Sequence, residues 1–333
     1  MKNILVVSVN WLGDAVFSTP VYKNIKENHP GARVTAMAVP RVKAVLELCP
    51  FIDDIIVYDE DGDDRPLLDK WRLALMLRER KFDAVFLLRP SFSRALLTFL
   101  AGIPVRVGFG SKNVFGIVNH PVSDSGLEQI HRSDAYLALL ERFGMTVRDR
   151  SCCLALKAES VSLAERLLLT RGIEPDEPFC VLNTGGNWDL KQWPPGRFAD
   201  LARRISRERG MKVVLTGAAG DVDRVTRIAA LSGVGPIELA GVTDIEGTAA
   251  VFFMSKVVIS ADSGPLHLAS ALGVRTVAIF GPTAPLITGP RGRGISTVIM
   301  KDVGCNRSPC YYLECPDNRC MKAVEVADVI KVL

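Results

Sequence analysis

The residues with the clearest chemical possibilities lie in the stretch 257–290, at Asp262-Ser263-Gly264-Pro265. A carboxylate, a hydroxyl and a glycine there sit between two apolar runs, Val257-Val258-Ile259 and Thr276-Val277-Ala278-Ile279-Phe280. Both runs read as strands buried on both faces, with a short helix between them. Ser263 or Asp262 can cap that helix and Pro265 suits its first turn, so backbone N–H groups point outward from the carboxyl end of a strand. Such a terminus favours anions, phosphate above all.

Two further turns fall at strand ends in the same half of the chain. They read Asn183-Thr184-Gly185-Gly186-Asn187 and Thr216-Gly217-Ala218-Ala219-Gly220, and each lets backbone approach a ligand closely. One glycine turn is ordinary punctuation, but three on one sheet outline a ligand site. None matches GxGxxG or GxxxxGK(S/T), which argues against NAD-type and P-loop binding. Lys191, in a loop pinned by Trp193, Pro194 and Pro195, can reach a pyrophosphate or stay a solvated lysine. His267, one turn into the helix after Asp262, faces either a ligand or the core.

In the first half, Asp14 follows Gly13 at the end of the opening strand, placed either to cap a helix or to act as a general base. A carboxylate on one domain and a phosphate cradle on the other suggest transfer from a phosphate-activated donor. Cys305, Cys310, Cys315 and Cys320 recur every fifth residue, which fits neither a helix face nor a CxxC zinc knuckle. They are read as thiols ordering an irregular loop or as redox-labile pairs, with a zinc or iron–sulfur site as the less favoured alternative.

Alternating elements must carry these residues. After a first strand in ILVVSV come strands at 34–39, 55–58, 84–88 and 105–108, with helices at 41–49, 67–80, 93–101 and 134–143. The first helix starts at a cap on Asp14 or at one on Thr19, with Pro20 beside it. The acidic run 59–64 reads as a solvated loop, and 111–130 as an irregular patch. The second half repeats the pattern, with strands at 179–183, 212–215, 236–239, 257–259 and 276–280. Helices fall at 161–171, 197–209, 222–231, 245–253 and 266–272. Such alternation predicts the α/β class: two Rossmann-like domains, 1–155 and 156–333, facing each other across a cleft between the carboxyl edges of their sheets.

Composition excludes several classes. With 333 residues and 48% hydrophobic content the chain exceeds one core, and its net charge of +4 is spread evenly over both halves, so no nucleic-acid arm is expected. The apolar start is too short for a signal sequence and no run reaches the ~18–20 residues of a membrane span. A cytoplasmic monomer is expected, its eight cysteines reduced thiols or metal ligands and not a disulfide framework.

In this order the motifs resemble glycosyltransferase family 9, the ADP-heptose:lipopolysaccharide heptosyltransferases, over nearly the whole chain. The resemblance rests on Leu12-Gly13-Asp14 with Pro20, Ala101-Gly102-Ile103-Pro104 with Arg106-Val107-Gly108, and Lys191-Gln192-Trp193-Pro194 with Phe198-Ala199-Asp200-Leu201. Most specific are Asp262 to Ala269 and Phe280-Gly281-Pro282-Thr283; a cysteine tail ending in Cys320-Met321 is also a feature of many members.

It implies a GT-B fold and inverting transfer with no cofactor, from an ADP-heptose donor held by the second domain. Asp14 would be the base, while Lys191 and the Ser263 and Gly264 N–H groups would stabilise the leaving diphosphate. Asp262 would hold heptose hydroxyls, with His267, Thr184, Gly185, Gly186, Thr216 and Gly217 lining the donor site and adenine beside Val242. The acceptor would be a lipopolysaccharide core at the inner face of the inner membrane, where the enzyme would be peripheral, with Arg94, Arg106 and Lys112 meeting its anionic groups. Another nucleotide sugar, handled by a GT-B transferase or an epimerase, and a non-catalytic nucleotide-binding module are the alternatives.

Overall fold

The computed structural model describes residues 1–59, 62, 67–110, 116–310 and 314–333. Lys112 and most of the acidic run 59–64 therefore lie outside the described residues. Two compact units divide the chain, Met1–Leu154 and Ala155–Leu333. The first contains strands β1 (Asn3–Val7), β2 (Arg33–Ala38), β3 (Asp54–Val57), β4 (Ala84–Leu87), β5 (Val105–Phe109) and β6 (His120–Val122). Its helices are α1 (Leu12–Asn28), α2 (Pro40–Leu46), α3 (Leu67–Glu79), α4 (Phe92–Leu100) and α5 (Arg132–Phe143).

The second unit contains β7 (Phe179–Asn183), β8 (Lys212–Thr216), β9 (Ile237–Glu238), β10 (Val257–Ala261), β11 (Thr276–Ile279) and β12 (Ser296–Ile299). Around them run α6 (Ala158–Thr170), α7 (Pro195–Arg209), α8 (Val222–Ser232), α9 (Ile245–Met254) and α10 (Gly264–Ala271). The short helices α11 (Pro285–Thr288), α12 (Arg319–Lys322) and α13 (Val326–Ile330) complete it.

Both sheets are parallel and are wound alike, β3-β2-β1-β4-β5-β6 and β12-β11-β10-β7-β8-β9. Their strands are apolar on both faces because helices cover both. In the first unit Leu5, Val7, Val85 and Leu87 share a core with Leu73 and Leu77 of α3 and Leu97 of α4. In the second, Leu182, Ile259 and Ile279 pack with Phe198 and Ile205 of α7. The winding reverses between β1 and β4 and again between β7 and β10, and a crevice for ligands opens at the carboxyl ends of such strand pairs.

The predicted strands and helices recur to within a few residues, with three differences. Helix α1 begins at Leu12 behind an N-cap at Trp11, so neither Asp14 nor Thr19 caps it and Pro20 lies inside. Pro20 has no N–H for the Val16 carbonyl, and the Thr19 hydroxyl donates to that oxygen instead, at 2.8 Å. Strand β6 falls in the stretch read as irregular and pairs with β5. Strand β12, also not expected, closes the second sheet beside β11.

The end of the first unit has no regular structure, yet α1 side chains hold its backbone. Asn28 accepts from the Thr146 N–H at 2.9 Å and donates to the Thr146 carbonyl at 2.7 Å. Asn24 accepts from Arg148 N–H at 2.8 Å and donates to Asp149 O at 2.7 Å, and Thr19 accepts from Cys153 N–H at 3.2 Å.

Candidate active site

Each unit builds a constellation at its own switch point. In the first, the loop 8–11 leaves β1 and places Asp14 in the opening turn of α1, where the positive end of the helix dipole favours a carboxylate. The buried Arg94 side chain props that loop from below, donating to Ser8 O at 3.0 Å and to Asn10 Oδ1 at 2.8 Å.

From α5, which packs along α1, the Tyr136 hydroxyl donates to Asp14 Oδ1 at 2.9 Å. The end of α5 is fixed by His131, whose Nδ1 accepts from Ser133 N–H at 3.1 Å and whose ring meets Phe17 of α1 edge-on at 4.9 Å. Burial first, and then the Asp14 charge, hold the Tyr136 hydroxyl well above the usual tyrosine range, opposed by the positive charges of Arg132 and Arg89. Tyr136 therefore stays protonated and serves Asp14 only as a donor. Arg89 follows β4, across the switch point from Asp14, and both it and Arg132 are exposed.

In the second unit the centre is Asp262, just past β10 and 4% exposed. Its Oδ2 accepts from Lys191 Nζ at 2.6 Å, from Thr283 Oγ1 at 2.6 Å and from Thr288 Oγ1 at 3.3 Å. Its Oδ1 lies 3.3 Å from Nε2 of His267 on α10. Burial alone would raise the Asp262 carboxyl, but His267 and then Lys191 overturn that and hold it well below the usual carboxylate range.

Lys191 reaches this carboxylate from a single helical turn at Asp189–Lys191, with its ammonium also 5.5 Å from the centre of the Trp188 ring. Gln192 ties the turn to Gly186 O at 2.8 Å, and the buried Trp193 anchors it by donating to Val324 O at 2.9 Å. Ser263 is the N-cap of α10, yet its side chain does not cap the helix and lies instead 3.0 Å from the Ser260 hydroxyl. Thr283 belongs to the turn after β11, where a Cβ at Gly281 would come to 3.1 Å from the Met321 backbone, a tight approach that favours glycine.

The two glycine turns adjoin this centre. Asn183 donates to Ser260 Oγ at 3.0 Å and Thr184 N–H donates to Thr216 O at 3.1 Å, which binds the ends of β7, β8 and β10 together. A Cβ at Gly185 would come within 2.2 Å of the Asp221 carboxylate and one at Gly217 within 2.7 Å of Asp221 Cβ, so the space both glycines leave is taken by Asp221. Gly186 is open by comparison, with nothing nearer than 3.9 Å. Beyond β9, Val242 stands 47% exposed on a turn whose Gly241 N–H donates to Gly217 O at 3.2 Å.

The structure thus gathers Lys191, Asp262, Ser263, Gly264 and His267 into one group, with Thr184, Gly185, Gly186, Thr216, Gly217 and Val242 along the same sheet edge. It does not gather the arginines expected for the acceptor. Arg94 lies beneath the Asp14 loop, and Arg106 donates to Ile117 O at 2.6 Å and Ile103 O at 2.5 Å while stacking on Phe99. Tyr136, Arg89, Arg132, Thr288 and Asp221 escaped the sequence reading; Thr283 lay in a quoted motif without a role.

All four tail cysteines are free thiols and only partly buried or exposed. Cys310 N–H donates to Pro282 O at 2.7 Å, which ties the tail to the turn bearing Thr283. Among the described residues no group of three His, Cys, Asp or Glu is placed to hold a metal ion.

Known proteins resemble this chain in sequence and fold. The profile of glycosyltransferase family 9 (heptosyltransferase) matches residues 70–316. Lipopolysaccharide heptosyltransferase 2 of Salmonella typhimurium is 28% identical over 303 residues, covering 86% of this chain and 85% of its own length. A family 9 glycosyl transferase from Veillonella parvula superposes with a TM-score of 0.84 at 23% identity, covering 99% of this chain and 95% of that one. The Escherichia coli ADP-heptose lps heptosyltransferase II superposes with a TM-score of 0.81 at 24% identity, covering 99% and 97%.

Two parallel, doubly wound units of this kind make up the GT-B class of glycosyltransferase fold. The chain belongs to glycosyltransferase family 9, the heptosyltransferases, and is an enzyme of that family.

Proposed function

We propose that the enzyme transfers a heptose from ADP-heptose to the inner core of lipopolysaccharide, with inversion at the anomeric carbon. The observation that carries this reading is the pair of half-buried Lys191 and buried Asp262 beside the start of α10, a cation and a helix terminus held ready for an anion. The names of the relatives, with lipopolysaccharide as object and ADP-heptose as donor, support the choice of sugar and acceptor.

The diphosphate lies against Lys191 and the N–H groups of Ser263 and Gly264, the open Gly186 turn faces the nucleotide, and adenine rests on Val242. All protein donors to Asp262 are already engaged, so its role is to orient Lys191, and contact with heptose hydroxyls is secondary.

In the first unit Tyr136 occupies one oxygen of Asp14 and turns the other toward the acceptor. The acceptor hydroxyl oxygen attacks C1 of the heptose while its proton passes to Asp14. The bond from C1 to the diphosphate oxygen breaks and its electron pair leaves with ADP. Lys191 and the helix terminus meet the charge growing on that oxygen, a contribution of roughly 3–4 kcal/mol per donor, and the base adds ~10²–10⁴-fold. Arg89 and Arg132, whose charges reach Tyr136, receive phosphate or carboxylate groups of the acceptor. The reaction proceeds on the cytoplasmic side of the inner membrane. No helix among the described residues is long and apolar enough to cross a membrane.

Thermal stabilisation by ADP, ADP-heptose and UDP-sugars, combined with turnover of Asp14→Asn, tests the proposal. ADP-heptose should stabilise the protein most, and Asp14→Asn should keep donor affinity while losing turnover by orders of magnitude. Preferential stabilisation by UDP-sugars with turnover in the absence of acceptor would instead identify an enzyme such as an epimerase. Full turnover by Asp14→Asn would remove the base.

A further inference from the structure

Helices α3 and α4 are apolar on both faces, which is the pattern of a helix covered on both sides. Inward, Leu73, Ala74 and Leu77 of α3 and Ala95 and Leu97 of α4 enter the core against the sheet, and the two helices pack side by side. Outward, α3 presents Leu68, Trp71 and Leu75 at 72%, 54% and 42% exposure. Helix α4 presents Phe92, Phe99 and Leu100 at 52%, 46% and 44%. The spacings i, i+3, i+7 in α3 and i, i+7, i+8 in α4 put each set on one side of its helix. Large apolar side chains gathered on neighbouring elements in this way mark an interaction surface.

The charges on this face are mixed, with a basic excess. Along α3, Lys70, Arg72 and Arg78 accompany Glu79 and Asp69, the last of which accepts from Arg72 at 2.9 Å, and the Arg106 guanidinium lies 5.2 Å from the centre of the Phe99 ring. Between the carboxyl ends of the two helices a hollow of about 510 Å³ is lined by Arg78, Lys81, Asp83, Leu100, Gly102 and Pro104. Asp83 accepts from the Asn3 N–H at 3.0 Å and from Lys2 N–H, and these bonds hold its carboxyl below the usual range, so it is already occupied.

We infer that this face docks the enzyme on an anionic lipid bilayer. Trp71, Leu68, Leu75 and Leu100 enter the boundary between headgroups and acyl chains, and Arg78 and Lys81 take lipid phosphates. Tryptophan with leucine for the apolar layer and arginine and lysine for the headgroup level is the composition suited to such an interface. A second copy fits less well, because an isologous contact across this face would bring its basic residues toward their own copies. The inference uses the proposed function only to explain why a lipid-linked acceptor makes docking useful, and vesicle binding reads the face independently of any transfer.

The test is cosedimentation of the full chain with vesicles of phosphatidylcholine alone or mixed with phosphatidylglycerol, at low and high salt. Wild-type protein should pellet with the anionic vesicles and be released by salt. Leu68→Glu/Trp71→Glu/Leu75→Glu should fall to the level seen with phosphatidylcholine while keeping its melting temperature and ADP binding. Arg78→Gln and Lys81→Gln should each weaken anionic binding by about fivefold, following ~1 kcal/mol per basic residue near such a surface. The inference is overturned if wild type pellets with neither vesicle, or if the triple variant pellets as wild type does. It is also overturned if the triple variant only dissolves a dimer of the wild type in sedimentation velocity. Loss of vesicle binding in the triple variant, with ADP-heptose turnover in solution intact, would leave the transfer chemistry standing on its own.

Discussion

The two units wind their sheets alike and place an aspartate at each switch point, yet the two carboxylates are surrounded differently. Asp262 is buried under three donors on one oxygen and His267 on the other, and is held well below the usual carboxylate range. Its donors are arranged to keep it ionised, so it is suited to holding a cation. Asp14 receives one hydrogen bond, from Tyr136, and no other protein donor is found for it among the described residues. The number of donors around a carboxylate, rather than its place in the fold, is what sets Asp262 apart from the proposed base, Asp14.

The largest expected effect comes from removing the anchor. Asp262→Ala leaves the Lys191 ammonium and two threonine hydroxyls without their acceptor and should destabilise the second unit by about 3–5 kcal/mol, read by urea denaturation followed through the unit's own tryptophans. Because the folded carboxyl is depressed, its contribution is present above the unfolded value of about 3.9 and is lost as pH falls below it. The wild type should therefore lose stability on acidification through about pH 4 more steeply than Asp262→Ala does. Equal slopes would mean that Asp262 is not the depressed group.

Next in size, Lys191→Ala should lower kcat by ~10²–10³-fold while the protein stays folded. Unchanged kcat in single-turnover assays would confine Lys191 to the buried ion pair and break the assignment of the leaving-group site to this unit. Tyr136→Phe should reduce kcat about tenfold, as expected for one hydrogen bond to a charged group, with the KM for the donor and the melting temperature unaltered. If kcat survives, Asp14 is positioned by its helix alone and the contrast with Asp262 weakens. Smallest of all, Val242→Ala should weaken ADP binding about fivefold by calorimetry, through ~1 kcal/mol of lost apolar contact. No change there would move adenine away from this turn.

What could be read from the sequence followed the strength of local signals. Buried parallel strands announce themselves as unbroken apolar runs, so β1, β7 and β10 lay where such runs ended in glycine turns, and Asp14, Thr184 and Asp262 came with them. Strand β6 is His120-Pro121-Val122, too short and too polar to show any period. The start of α1 was misplaced because Thr19-Pro20 imitates a helix beginning, whereas the threonine repairs the hydrogen bond that the proline leaves out.

Tyr136 was invisible for a different reason. It falls on the inner side of an ordinary amphipathic helix, and its partner is 122 residues away. Arg94 and Arg106 misled in the opposite sense, since a basic residue near a site suggests an anion until its backbone partners are known. Asp221 taught the same lesson from the other side, because glycines that admit a ligand's backbone approach also admit a carboxylate of the chain itself.

The segment that closes the first unit has one further consequence. Thr146, Arg148 and Cys153 find their partners on Asn28, Asn24 and Thr19, so a helix surface serves this stretch as a template usually provided by a neighbouring strand. Four residues of helix rise about 6 Å and two residues of extended chain span about 6.6 Å, so the first two contacts keep step. Connecting segments generally tolerate changes of length. This one is a measured rule laid along α1, and inserting or deleting one residue between Thr146 and Arg148 would put its marks out of register.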